Sequence, residues 1–225
     1  MRAPWIATSA GETAGTPEDP MTTPDPVTYF TELFPAQWAR TLQDQERAVK
    51  DAQRLLDDMR AVNATLQVEV KGEGGGRWSL NVEDGVMAPG SGAANAPFLT
   101  LVLERPDFER LAAEAGDSPL AFLGALASQG GDLKLTDSRM QNLAMLRGTL
   151  RFELAGEAGF ALLAHFGGDA PPEEPTTTIR VEREAYEALK AGELAAQDAF
   201  LSGQIELEGD MQLAMQLALA VLSPE

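Results

Sequence analysis

The chain has no cysteine and a single histidine, His165. The first absence excludes a disulfide framework, a thiolate nucleophile and any cysteine-ligated metal. The second leaves one candidate for a histidine-dependent triad and excludes histidine-rich metal cages. Basic residues are scarce as well: 17 Lys and Arg stand against 35 Asp and Glu, a formal net charge of −18. Such a surface repels phosphate backbones and anionic headgroups, so nucleic acid is excluded as a partner and electrostatic docking to an anionic membrane is disfavoured. No run approaches about 18 apolar residues, so stable membrane insertion is not expected. One Arg before the short patch Pro4 to Ala10 is too weak for a secretory signal, and the default expectation is a cytoplasmic location.

What is present is organised around Gly203 to Leu222, GQIELEGDMQLAMQLALAVL. Ile205 and Leu207 alternate with Glu206 and Glu208 as in a short strand, Gly209 turns the chain, and Asp210 is a fitting N-cap for a helix. Met211, Leu213, Ala214, Met215, Leu217, Ala218, Val221 and Leu222 leave that helix almost without charge, which predicts cover on nearly all sides. The same strand, turn and helix recur at Gly131 to Leu146, with Leu133 and Leu135 before Met140, Leu143, Ala144 and Met145.

The remainder of the chain leads up to these two stretches. Residues 1–25 have no periodicity and read as a disordered leader. From Pro26 to Ala61 the apolar positions Trp38, Leu42, Val49, Ala52, Leu56 and Met59 fall at steps of three and four, with charges on the other face. This helix is expected to pack on its own domain; the alternative is a coiled-coil seam, interrupted by the polar Gln45, that joins two copies as a homodimer. Thr65 to Val70 and Trp78 to Val82 read as strands joined by the glycine-rich turn Gly72 to Gly76. That loop lacks the Lys-Ser or Lys-Thr of a phosphate-binding loop and does not open a helix. Leu99 to Leu103 is a further strand, and Pro106 to Ala115 and Ser118 to Ser128 read as helices.

The second half repeats this order. Thr149 to Glu157 matches Thr65 to Glu73, Phe160 to Gly167 follows Trp78 to Gly85, and Thr178 to Tyr186 follows Thr100 to Phe108. The separations shrink from 84 through 82 and 78 to 72 at Gly131 and Gly203, so connections shorten while the order is kept. A first unit is expected over residues 26–147, with its N-terminal helix at 26–61, and a shortened second unit over 148–225.

Several stretches resemble the sterol carrier protein type 2 lipid-binding domain. Asn63 to Val68, Gly72 to Gly76, Trp78 to Val82 and Asp84-Gly85 are similar to its first two strands, and Phe98 to Leu101 with Asp107-Phe108 to its third strand and following helix. Phe200, Gly203, Gly209, Asp210, Met211, Leu213, Ala214 and Met215 are similar to its C-terminal end. The departures are Thr136 to Arg139 where the second copy has Glu208-Gly209-Asp210, no helical cap before the second copy, and a terminal Ser223-Pro224-Glu225 unlike the peroxisomal tripeptide of some members. The resemblance implies an α+β fold, with a mainly antiparallel sheet, helices over one apolar face and a tunnel between, here internally duplicated. It also implies a lipid carrier for fatty acids, acyl thioesters, phospholipids or sterols, with no catalytic residues.

The strands agree with that picture, because their apolar residues keep one parity and a sheet apolar on one face needs a cover. The lipid-binding residues expected are Trp78, Leu80, Leu101, Leu103, Phe122, Leu126, Leu133, Leu135, Met140, Leu143, Ala144, Phe200, Ile205, Leu207, Met211, Ala214 and Met215, with the first copy the better candidate. His165 is expected on the other face without a catalytic role, and Glu69, Glu153, Glu206 and Glu208 on a solvated face. No catalytic residue, metal site or cofactor is expected. The alternative function is an interaction protein with closed cores, engaging a partner or a second copy through its acidic surface or its N-terminal helix.

Overall fold

The computed structural model describes residues 25–115 and 133–222. Most of the expected leader, the helix expected over 118–128 and the site candidates Phe122 and Leu126 lie outside the described residues. The chain forms two compact units, one up to Lys50 and one from Asp51 onward.

The first unit is helical. Asp25 caps the start, its side chain accepting from the Thr28 N–H at 3.2 Å, and Pro26 sits at the first helical position, where its missing N–H costs nothing. α1 (Pro26–Thr28) runs through a π-helical turn (Tyr29–Leu33) into α2 (Phe34–Arg60), whose last turns belong to the second unit. No residue of α2 is buried. Between Phe34 and Lys50 every residue is exposed among the described residues.

The second unit is built on one eight-stranded sheet of β1 (Ala64–Lys71), β2 (Gly76–Glu83), β3 (Val86–Gly90), β4 (Leu99–Glu104), β5 (Gly148–Leu154), β6 (Ala161–Phe166), β7 (Thr177–Val181) and β8 (Ile205–Gly209). Their order is β3-β2-β1-β4-β6-β5-β7-β8. The sheet is mixed rather than mainly antiparallel: β1 lies parallel to β4, and β5 parallel to β7. Each parallel pair forms because a hairpin is followed by a crossover that brings the next strand back alongside the first. Side-chain alternation has the same period in either direction, so the sequence carried no sign of it.

Among the described residues, five helices accompany the sheet: α3 (Arg105–Ala115), α4 (Asp137–Ala144), α5 (Arg183–Ala191), α6 (Ala196–Leu201) and α7 (Met211–Leu222). The strand register aligns the alternating apolar residues on one face, as in the row Trp78, Val68, Leu101, Ala164, Leu150. Leu111 of α3, Met140 and Leu143 of α4, Tyr186 and Leu189 of α5, and Leu213, Leu217 and Val221 of α7 join these in one buried cluster. The opposite face carries Arg77 paired with Glu69, and Arg180 bridging Glu153 at 2.7 Å and Glu206 at 3.6 Å.

The two halves of the sheet make the same local bonds. Thr65 Oγ1 donates to Asn81 Oδ1 at 2.8 Å, and 84 residues on, Thr149 Oγ1 lies 2.9 Å from His165 Nδ1. The Phe98 N–H donates to the Thr65 carbonyl at 3.0 Å, and the Thr176 N–H to that of Thr149 at 2.8 Å. Arg105 at the start of α3 reaches the Gly74 carbonyl at 3.3 Å, and Arg183 at the start of α5 reaches that of Ala158 at 2.9 Å. A Cβ on Gly75 would stand 2.1 Å from the Val70 oxygen, and one on Gly159 2.0 Å from that of Leu154. Pairing of Val68 with Trp78 and of Phe152 with Leu162 keeps the second strand at the same separation of 84, correcting the 82 read from the sequence.

The strand expected at Leu133 and Leu135 is not formed; residues 133–136 make no sheet pairing. β8 occupies the side of β7 away from β5, but the corresponding side of β4 is filled by β6. By the same exchange, the flank of β6 where β3 would have its counterpart is filled by β4, and residues 167–176 form no strand. β4 and β6 thus fill each other's free side. A backbone ladder has only two sides, so the displaced segment has no edge to join.

Candidate functional site

β8 and α7 meet at a pinned corner. The Asp210 N–H donates to the Thr176 carbonyl at 2.9 Å, and Thr177 Oγ1 donates to the Asp210 carbonyl at 2.8 Å. Gly209 has φ of 90°, and a Cβ there would stand 2.3 Å from the Thr176 oxygen, so only glycine lets β8 approach β7 this closely. Asp210 then caps α7 through the Gln212 N–H at 2.8 Å. These contacts fix the angle at which α7 leaves the sheet, and with it the space beneath.

That space is a pocket of ≈ 330 Å³ between β7, β8, α6 and α7. Ile179 and Leu207, paired across the two strands, form its floor with Ile205. Met211, Ala214, Met215 and Ala218 descend one face of α7 at helical spacing, Phe200 closes the α6 side, and Gln197 is the one polar side chain in the wall. The alanines leave the volume open, and the thioethers are deformable. Two other grooves, of ≈ 700 and ≈ 760 Å³, have charges in their walls: Arg60 and Asp84 in one, Asp51, Arg54, Asp57 and Asp58 in the other. An apolar chain lying there would strip water from ionised groups, so the smaller pocket is the better apolar site.

α7 is not covered on nearly all sides as its composition predicted. Met211, Met215 and Leu219 form a stripe that is 54%, 60% and 69% exposed, while Leu213, Leu217 and Val221 face inward. Phe200 and Leu201 extend this apolar surface on α6. The correction follows from geometry: one sheet face can bury about half of a helix that lies on it, whatever the other half is made of.

Of the expected lipid-binding residues, the second-half group Phe200, Ile205, Leu207, Met211, Ala214 and Met215 all line this pocket. The first-half group is not gathered into one space. Leu101, Leu103, Leu133, Met140 and Leu143 are buried in the core, Leu80 packs half-buried against it, and Ala144 is exposed. Trp78 borders a recess of ≈ 170 Å³ with Val68, Val70 and Phe108, and Leu135 lines the groove beside Val82 and Met87. Sequence reasoning missed Ile179, Ala196, Gln197, Leu217, Ala218 and Val221 as pocket residues. Ala218 could have been found, lying two turns from Met211 on the same helix face; Ala196 and Gln197 sit on a short helix with no apolar period.

His165 is buried on the sheet face opposite the apolar cover, its Nδ1 held by Thr149 and its parity as expected. Tyr186 packs on Phe152 with ring centroids 6.3 Å apart. Burial, aided by the nearby Glu114 charge, pushes its hydroxyl up to about 12. No cluster of metal-ligating side chains occurs among the described residues, nor any helix long and apolar enough to cross a membrane.

Residues 131–221 match the model of the SCP-2 sterol transfer family. The matched stretch includes α4, which lies ahead of β5. No curated protein matches the sequence. Among solved structures, the chain is similar to Sterol Carrier Protein 2 Like 2 from Aedes aegypti in its crystal structure (23% identity, 49% of this chain and 89% of that one, TM-score 0.28). The palmitated form of that mosquito protein in solution is also similar (21% identity, 52% and 91%, TM-score 0.28). So is apo Sterol Carrier Protein 2 from Yarrowia lipolytica (15% identity, 48% and 88%, TM-score 0.26). The assignment rests on the match to the family model: residues 131–221 form an SCP-2 sterol transfer family domain.

Proposed function

We propose that the protein is a non-enzymatic lipid carrier that holds the hydrocarbon part of its ligand between α6, α7, β7 and β8. The observation that carries this reading is the pocket itself, a space of ≈ 330 Å³ walled by apolar side chains with Gln197 as the one exception. Its place inside the stretch that matches a lipid-transfer family supports it. The volume lies at the low end of the roughly 300–1,000 Å³ typical of small-molecule sites, which suits a single alkyl chain better than a rigid ring system. Each methylene buried contributes about 0.8 kcal/mol. Ten methylenes would then give on the order of 8 kcal/mol before ordering costs, enough for useful affinity without a charged anchor. Fatty acids, acyl thioesters and phospholipids share that chain.

We also propose that the chain arose by duplication of one sterol-carrier-like unit, with the two copies fused through β4 and β6. The matching contacts of Thr65 and Thr149, of Arg105 and Arg183, and of Gly75 and Gly159 support this, since convergence would have to reproduce each of them separately in the same order. The closed-core alternative suits the first half, whose candidate residues lie mostly in the packed core.

The deciding experiment is native mass spectrometry of freshly purified protein, with extraction and identification of whatever is released. An acyl-chain ligand, or saturable uptake of a fluorescent fatty acid, is the expected result. A clean apo mass together with no uptake would overturn the lipid reading.

A further inference from the structure

α2 presents an apolar seam that is exposed among the described residues. Trp38, Leu42, Gln45, Val49, Ala52 and Leu56 follow one another at alternating steps of four and three, the spacing of heptad d and a positions. Trp38, Leu42 and Val49 are 66%, 51% and 68% exposed. Met59, next in the series, is half-buried where the helix meets β2 and β3, so the free seam ends at Leu56. An isolated helix gains little from propensity alone and depends on burying such a stripe.

We propose that the chain self-associates through α2 as a parallel, in-register, two-stranded coiled coil. Three observations select a second copy as the occupant. The first is charge. The chain carries −18, so two copies repel over most of their surfaces. α2 is the exception: Arg40, Arg47, Lys50, Arg54 and Arg60 balance Asp44, Glu46, Asp51, Asp57 and Asp58, several already paired along the helix, as Arg54 is with Asp51 at 3.4 Å.

The second observation is Gln45, the polar residue in the seam. In a parallel pair in register it faces its own copy and the amide dipoles satisfy one another, the role a single polar core residue plays in fixing register. The third is the flanking charge. In the antiparallel arrangement that overlaps the most seam, Trp38 meets Leu56, Gln45 is pressed against Val49, and Glu46 meets Glu46 of the other copy. In the parallel arrangement the flanking contacts are Thr41 with Glu46, Ala48 with Gln53 and Leu55 with Arg60, none of them like-charged. The antiparallel form therefore buries a polar group against an aliphatic one and opposes two carboxylates, and the parallel form does neither.

The chain provides a direct test because it contains no cysteine. Sedimentation velocity across a concentration series should show a rise from 24.0 kDa to twice that mass. Leu42→Glu with Val49→Glu should hold the protein at the single-chain mass with the unfolding transition of the sheet unchanged. Under mild oxidation, Gln45→Cys should cross-link to itself, because facing seam positions lie within the span a disulfide tolerates. Arg54→Cys, on the outer face, should not. A chain that stays monomeric at all concentrations overturns the proposal, as does a dimer that survives the double substitution. So does cross-linking of Gln45→Cys to a Val49→Cys partner chain in place of itself, which would be the antiparallel form.

Discussion

Replacing Met215 by Glu separates the pocket from the fold. Met215 lies on α7 with its side chain both in the pocket wall and 60% exposed. Because so much of it already meets water, the substitution should change stability by no more than about 0.5 kcal/mol. A bound alkyl chain, however, would pack against the new carboxylate and displace its water. Burying a polar group without a partner costs about 1–3 kcal/mol by protein mutational measures, which corresponds to roughly a 5- to 160-fold loss of affinity. The control is Met145→Glu, the same chemical change at a position 71% exposed and outside this pocket. Both variants carry the same net charge, so any long-range effect of the acidic surface cancels. Titration of a fluorescent fatty acid into both proteins, with thermal unfolding recorded alongside, reads the difference. Equal affinities with unchanged unfolding would refute the assignment of the pocket.

Three further outcomes are expected. Gly75→Ala and Gly159→Ala should each cost more than about 1 kcal/mol in urea unfolding, since both put a methyl against a backbone oxygen; a silent change at either would break the equivalence of the two turns. Burial works against ionisation of Glu153, but Arg151 and Arg180 outweigh it and hold its carboxyl below 4.5. Its contribution to stability is therefore present above about 4.5 and lost as pH falls through the depressed folded value, so Glu153→Gln should flatten the acid limb of the stability profile below that point. An acid limb identical to the unsubstituted protein's would count against it. Tyr186, raised to about 12, should contribute stability that is complete below pH 10 and lost between there and 12, and Tyr186→Phe should remove that loss. At neutral pH the same substitution should be neutral or stabilising by about 1 kcal/mol, because the buried hydroxyl has no hydrogen-bond partner among the described residues. A clear destabilisation would mean the hydroxyl is satisfied.

The exchange of strands at the β4 and β6 boundary explains why the sequence could be read so far and no further. Leu133 and Leu135 alternate just as Ile205 and Leu207 do, and only Ile205 and Leu207 found an edge. Alternation reports which face of a strand can be buried; it says nothing about whether a ladder position is vacant. In the same way the composition of α7 pointed to full cover, because an apolar stripe and an apolar cylinder differ only in what is packed against them.

The parity of the formed strands other than β3, the positions of the hairpin turns, the cap at Asp210 and the recurrence of Thr65 and Gly75 at Thr149 and Gly159 were determined by the sequence alone. Each depends on interactions within a few residues or on steric needs that select one residue type. Strand direction, the single shared sheet, the lack of a strand at residues 133–136, and the gathering of Ile179, Phe200 and Ala218 around one pocket were decided by tertiary structure. These depend on competition between distant segments for the same edge or face, and that competition is settled only when the whole chain is packed.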